Sequence, residues 1–479
     1  MVINDHPIIV IGAGPAGLAA AYEMVKKNRQ PIVLEKGDKV GGLARTEMYQ
    51  GYRFDIGGHR FFTQIENIKE LWEEMLDQDF LKVRRRSRIL HQNHFFNYPL
   101  HLWNTLGHLG VIESIRVLTS YLKARVYPMP KDETFEQWII NRFGSRLYQK
   151  FFKSYTEKVW GISCHSIQAD WAVQRIKGLS FASAMKDIFL NSNQIKTLVN
   201  EFQYPVLGSG MLWDSFKRAI EKSGGQILLN TEVIRLKREG SQIKEMIACQ
   251  NGKVLEMGGE HFISAMPLTE LITRLDPLPP DEIIESARQL KYRALILIGL
   301  ILDRSHLFDD QWIYIHDPEV RVGRIQNYKN WSIAMMADPT QTSLGMEYFC
   351  DEGDKIWNRP DQDLIDLAIR ELTILGLATA TDLKGGVVFR QPKAYPVYDR
   401  DYRKHLEMIR DYLKTIPNLQ TIGRNGLHRY NNQDHSMLTG ILAVGNLLGE
   451  HHDLWGMNVE TSYQEEFNPS NINRKKVGG

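Results

Sequence analysis

The chain has 479 residues, long enough for two or three domains with well-buried cores. Its 59 Lys and Arg against 57 Asp and Glu leave a formal charge of +2, so no global charge draws it to nucleic acid or an anionic membrane. Cys164, Cys249 and Cys350, far apart and without a CxxC, argue against a zinc site or a disulfide framework and suit a reducing cytoplasm. The start, MVINDHP, lacks the basic and apolar regions of a signal peptide. No apolar run approaches the ~20 residues of a transmembrane helix; the longest, 294–302, reads as a core strand.

In chain order, 8–11 is wholly apolar, as expected for a strand buried in a parallel sheet. Gly12, Gly14 and Gly17 follow in the GxGxxG spacing. The first permits a tight turn, the second lets backbone approach a pyrophosphate, and the third lets a helix pack against the strand. That helix, 15–27, would aim its N-terminus at the pyrophosphate. A second strand, 31–34, ends in Glu35, roughly 20 residues on, where an acid can accept hydrogen bonds from a ribose. Ala13, Pro15 and Ala16 between the glycines, and Lys36 after the acid, complete the expected contact set. The alternative is a glycine-rich turn with no ligand, and this motif alone leaves NAD and FAD both open.

Next come Gly41-Gly42-Leu43-Ala44-Arg45 and Phe54-Asp55-Ile56-Gly57-Gly58-His59. With these the chain resembles the FAD enzymes of the amine oxidase, protoporphyrinogen oxidase and UDP-galactopyranose mutase superfamily. The resemblance implies FAD as cofactor, with Gly42, Leu43 and Arg45 at its pyrophosphate and Gly57, Gly58 and His59 beside the flavin ring. Arg45 suits that place physically, being a fixed cation with a planar fork. Without the family, Arg45 is a surface arginine in a glycine loop and His59 a loop histidine.

Residues 66–192 read as mainly helical. Leu71, Trp72, Met75 and Leu76 recur at helical spacing, as do Leu118, Tyr121, Leu122 and Val126, and a third apolar face runs from Phe135 to Phe152. These stripes read as core. Between them, 82–94 reads as one hairpin whose Arg84, Arg85, Arg86 and Arg88 form a solvated face. Asn97-Tyr98-Pro99 resembles a mutase Tyr-Pro-Phe-Gln segment, with Leu100 and His101 replacing Phe-Gln. Tyr155, Lys158-Val159-Trp160, Trp171 and Arg175 resemble another mutase element. Phe202-Gln203 is preceded by Glu201, where bacterial mutases carry a diphosphate-binding arginine; an acid there would repel a diphosphate, so either the loop is rearranged or the substrate differs.

Segment 226–236 reads as strands, and Val233 matches the superfamily position whose backbone meets the adenine. Residues 262–267 match the family's short strand ending in proline. Segments 292–302, 311–315, 322–328 and 343–350 read as a separate sheet. Trp312, Tyr314, Asn327 and Tyr328 resemble the eukaryotic-type mutase pattern around a substrate-binding arginine, either Arg321 or Arg324. Strand parity with Tyr328 favours Arg324. Tyr395, then Gly423, Arg424 and Tyr430, then Asn432-Gln433-Asp434-His435-Ser436-Met437 resemble the mutase carboxyl-terminal elements. The resemblance implies that Tyr395, Arg424 and Tyr430 reach substrate phosphates. It also implies that Gly423, Arg424, Asn432, Asp434, Ser436 and Met437 meet the flavin at a helix N-terminus, whose dipole favours negative charge. Read alone, Asp434 and Ser436 are helix N-caps. The adjacent side chains of His451 and His452 diverge, which argues against a metal site with Asp453.

The fold expected is α/β: a Rossmann-like FAD-binding domain with a helical insertion and an antiparallel substrate-binding sheet. Its boundaries are 1–65, 200–285 and 415–465 for the FAD domain, 66–199 for the insertion, 286–414 for the sheet, and 466–479 for a flexible tail. The resemblance implies a mutase-like activity in which reduced flavin isomerises a UDP-sugar through an N5–sugar adduct. His59, Arg324, Arg424, Tyr430 and Tyr395 would be catalytic, and Trp160, Trp312, Tyr314, Asn327 and Tyr328 would line the substrate, with NAD(P)H as a candidate reductant. The alternative is an FAD oxidoreductase of protoporphyrinogen oxidase, desaturase or amine oxidase type. A cytoplasmic location is expected; homo-oligomerisation stays open.

Overall fold

The structure, a computed structural model, describes residues 7–98, 107, 109–169 and 201–457. Pro99, Leu100, His101, Trp171, Arg175 and the tail 466–479 lie outside the described residues. One sheet is wholly parallel, in the spatial order Leu419–Thr421, His261–Ser264, Ile8–Ile11, Pro31–Leu34 and Gln226–Leu228. Its two central strands are buried along their whole length, which is why they carry no polar residue. The helix Pro15–Lys26 follows the glycine turn, as the spacing predicts. A Cβ at Gly17 would collide with the Gly12 carbonyl, so only glycine lets the helix lie this close to the turn. Gly440 does the same for the helix Gln433–Leu447: a Cβ there would strike the Ala16 carbonyl. The two helices therefore meet nearly backbone to backbone, which fixes the start of the carboxyl-terminal helix relative to the glycine turn.

A second sheet has seven strands, ordered Leu383–Pro396, Tyr292–Leu302, Thr342–Cys350, Arg324–Asn327, Trp312–Ile315, Ser87–His91 and His94–Asn97. All its pairs are antiparallel except Trp312–Ile315 with Ser87–His91. Tyr292–Leu302 is buried almost throughout, as its apolar run requires. Two strands of this sheet come from the stretch read as helical, and the expected 82–94 hairpin is corrected. Phe80–Arg84 pairs instead with Glu201–Pro205. The actual hairpin joins Ser87–His91 to His94–Asn97 through Gln92 and Asn93, both at positive φ, the backbone a two-residue hairpin turn demands. Strand 322–328 is also shorter than read: Arg324–Asn327 ends where Tyr328–Trp331 turns helical.

The helices Glu66–Leu76 and Phe135–Phe143 bury the apolar faces predicted for them. The helix Val111–Val126 does not. It buries Val117 and Ala124, while Leu122 and Val126, read as core, are 59% and 68% exposed. Among the described residues no helix is long and apolar enough to cross a membrane. None of their His, Cys, Asp and Glu form a group able to hold a metal ion.

Candidate active site

A groove opens at the carboxyl ends of the parallel strands, where Gly12, Glu35, Ala265 and Gly423 each follow a strand or its last turn. This is where open parallel sheets bind ligands. Gly12, at φ +100°, turns the chain, and its N–H donates to the Leu34 carbonyl at 2.8 Å. The Glu35 carboxylate accepts from the Ala13 N–H at 2.8 Å and the Gly37 N–H at 2.9 Å, holding the acid at the groove wall. Gly14 and Gly42 face each other, and a Cβ on Gly42 would lie 3.2 Å from the Gly14 Cα. The helix Pro15–Lys26 starts at Gly14 with no side-chain cap and no acid in its first turn. Its positive end is therefore open to an anion.

Arg45 lines the same groove, held by Glu47 (Nε to Oε1, 2.6 Å), the Gly42 carbonyl (2.9 Å) and Gln391 (2.7 Å). Lys36, Val233 and Ser436 also line it. Met437 does not. It is wholly buried, and its sulfur accepts the Trp72 indole N–H at 3.1 Å.

A second cavity continues from the groove, and Leu43, His59, Arg424, Asn432 and Gln433 border both. The helix Gln433–Leu447 opens into it from Asn432, its N-cap. Asp434 and Ser436 thus sit inside the first turn rather than capping it. The Asp434 carboxylate instead accepts the Thr63 hydroxyl at 3.0 Å, tying the loop after His59 to the helix start. His59 Nε2 donates to the Ile56 carbonyl at 2.9 Å. Burial, with the nearby Arg424 and Arg324 cations, pushes its pKa down to about 4, so the ring is neutral at physiological pH.

The cavity gathers three of the predicted phosphate-site residues. Tyr395 and Tyr430 stack with centroids 5.6 Å apart and planes 19° apart. Arg424 lies over Tyr430 at 4.6 Å and Tyr395 at 5.7 Å, and Trp160 meets both rings edge-on. The Arg424 guanidinium donates to the Asn431 carbonyl at 2.9 Å and the Ala394 carbonyl at 3.3 Å. It has no carboxylate partner among the described residues.

Arg324, not Arg321, lines the cavity. It bonds Glu347 through Nη2 (2.5 Å) and Nε (2.9 Å) and reaches the Tyr395 hydroxyl at 3.5 Å. Glu347 is wholly buried and also accepts from Gln326 at 2.8 Å. The motifs do not single out Glu347 or Gln326. Their signals are an acid inside the apolar run Thr342–Cys350 and strand parity with Arg324.

Other expected contacts lie elsewhere. Tyr328 is buried and donates to the Asp55 carbonyl at 2.7 Å; Asn327 is buried and donates to the Phe308 carbonyl at 3.2 Å. Tyr328 thus ties the sheet to the strand Tyr52–Asp55 and Asn327 ties it to the loop at Phe308, and neither lines the cavity. Trp312 is buried on Trp331 (5.4 Å, 25°) and half-buried Tyr314 meets Tyr155 edge-on, so they back the site. Glu201 is exposed and lies across from Arg84, whereas Phe202 turns into the cavity. The expected acid–diphosphate repulsion is thereby removed, because strand alternation sends the carboxylate outward. The arginine run is partly solvated only: Arg88 holds buried Asp310 at 2.6 Å and Arg85 lies 5.7 Å from Trp312.

Residues 15–420 match the flavin containing amine oxidoreductases, and the chain belongs to that family. A curated relative, the 15-cis-phytoene desaturase of Solanum lycopersicum, is 25% identical over 77% of this chain and 64% of its own length, less than two thirds of it. A reduced UDP-galactopyranose mutase crystal structure superposes with a TM-score of 0.82 at 21% identity, covering 96% of this chain and 99% of that one. A CLA-producing fatty acid isomerase from P. acnes superposes with a TM-score of 0.62 at 15% identity, covering 93% of this chain and 99% of that one. The chain is thus a flavoenzyme with FAD as cofactor. The groove fits that cofactor: an uncapped helix end, a glycine pair with no room for side chains, and a fixed acid all face one channel.

Proposed function

We propose that this flavin containing amine oxidoreductase acts on a nucleotide sugar and isomerises it, in the manner of UDP-galactopyranose mutase. The observation that carries this reading is Arg424, a cation facing the cavity without a carboxylate partner among the described residues and flanked by two stacked tyrosines. An uncompensated guanidinium in a partly dry cavity is costly unless an anion joins it, and a planar fork suits phosphate oxygens. Arg324, already neutralised by Glu347, would orient rather than neutralise. Bound in the groove, FAD supplies an electron-rich ring when reduced and an electron-pair acceptor when oxidised.

The chain's own residues contribute positioning and charge. Tyr395 and Tyr430 offer a flat apolar floor with hydroxyls at its edge. His59 stays neutral beside the two arginines and adds no repelling charge to a phosphate's surroundings. The Asp434 carboxylate accepts from the Thr63 hydroxyl and the His435 N–H, which hold it at the helix start. Rate enhancement would come from orientation and electrostatics rather than proton transfer by the protein.

A second reading, an FAD desaturase or oxidase, draws on the apolar wall formed by Leu43, Ile56, Phe62, Phe202 and Leu295 and on the desaturase relatives. UDP titration separates the two. A nucleotide-sugar enzyme shows a flavin absorbance change on adding UDP, weaker at high salt; an apolar-substrate oxidoreductase shows none.

A further inference from the structure

We infer that the helix Val111–Val126 is an interfacial docking element for an anionic lipid surface. At about 100° per residue, Val111, Ile115, Thr119, Leu122 and Val126 fall within an arc of roughly 80°, nearly opposite the buried Val117 and Ala124. Val111, Ile112, Ile115, Leu122 and Val126 are 56–77% exposed, and Tyr127 and Met129 continue the patch past the helix end. Isolated apolar residues on a surface are ordinary, but a continuous stripe along four turns is not.

Charge selects the occupant. Arg116 and Lys123 border the stripe on one side and Arg125 on the other, all exposed. The helix has one acid, Glu113, which is held by Arg146 and also lies 3.5 Å from Arg116. Beyond Met129, Asp132 pairs with Arg142 and Glu133 with Lys131. A second copy of this chain would bring Lys123 and Arg125 again to the contact, where the described acids Glu113, Asp132 and Glu133 are already paired with cations. A bilayer bearing anionic headgroups meets both needs. The apolar stripe enters the acyl boundary, and the basic side chains extend along it to the phosphates. The net charge of +2 conceals this local asymmetry.

The test is co-sedimentation of the full-length FAD-loaded protein with phosphatidylcholine vesicles, with and without phosphatidylglycerol, alongside light-scattering mass. The protein sediments with the mixed vesicles and at least about fivefold less with phosphatidylcholine alone. Ile115→Ser with Leu122→Ser lowers binding at least about tenfold by removing inserted methylenes, and Lys123→Glu with Arg125→Glu abolishes the preference for anionic lipid. Both double variants keep the flavin spectrum and melting temperature, since all four residues are exposed. Wild type left in the supernatant with both lipids overturns the inference, as do variants that bind like wild type. A wild-type dimer that Ile115→Ser with Leu122→Ser converts to monomer also overturns it, assigning the stripe to a second copy.

Discussion

The Arg424 guanidinium lies 4.6 Å from the centre of the Tyr430 ring, and its hydrogen bonds go to two backbone carbonyls, not to an acid. Glu347 neutralises Arg324, which lines the same cavity, so of these two arginines Arg424 is the one without a carboxylate partner among the described residues.

Arg424→Ala is expected to weaken UDP binding by about 1.5–3 kcal/mol, on the order of 10–100-fold, the usual loss for charged hydrogen bonds. Lysine should recover only part of it, because a point charge cannot reproduce the fork or its stacking on the tyrosines. Titration of the flavin absorbance with UDP reads this out, with melting temperature as the control for folding.

Glu347→Ala is expected to destabilise the fold by about 3–5 kcal/mol, because it strands Arg324 in the interior. Replacing both partners with apolar residues should cost much less. Denaturant unfolding of the two variants tests the difference, and equal losses would mean that Glu347 acts by packing alone.

The nucleotide-binding half of this architecture was legible because its signals are consecutive: apolar strand, glycines, helix, strand and acid all fall between Ile8 and Glu35. The cavity was only partly legible. Arg324, Tyr395 and the Arg424–Tyr430 segment converge from three separated stretches, and motif resemblance named these residues without their partners. Glu201 stayed open between a rearranged segment and a different substrate because its direction depends on which strand it pairs with, and that strand, Phe80–Arg84, lies more than a hundred residues upstream. Tyr328 was named by motif resemblance and served as the parity reference for Arg324, but the strand ends one residue before it and its ring turns inward. Leu122 and Val126 show helical periodicity, and periodicity alone cannot tell a face that packs inside from one that packs on something else.

Glu35→Ala is expected to weaken FAD retention by about 1.5–3 kcal/mol, since it removes a charged acceptor and releases the Ala13 and Gly37 N–H groups that shape the turn. Flavin-to-protein ratio after dialysis measures this directly; an unchanged ratio would remove Glu35 from the cofactor site.

Asp55 gives a pH signature. It is buried, accepting from Thr46, Tyr204 and the Ser209 N–H, and burial raises its pKa from 3.8 to about 6. Between about pH 4 and 6 the folded chain therefore holds a proton that the unfolded chain releases. Its stabilising contribution is present at the acid end of that window and is lost as pH rises through 6, on the order of 2–3 kcal/mol. Asp55→Asn should flatten this slope, whatever its effect on baseline stability. Denaturant unfolding from pH 4 to 7, taken as wild type minus variant, gives the comparison.

The most direct measurement incubates UDP-galactose anaerobically with the enzyme, once oxidised and once reduced by dithionite or NAD(P)H, and follows both the sugar and the flavin spectrum. A nucleotide-sugar isomerase converts UDP-galactose only when reduced and ends each turnover with the flavin still reduced, so no electrons are consumed. The account is contradicted if the reduced enzyme leaves every nucleotide sugar unchanged while the oxidised enzyme is bleached stoichiometrically by an apolar or amine substrate.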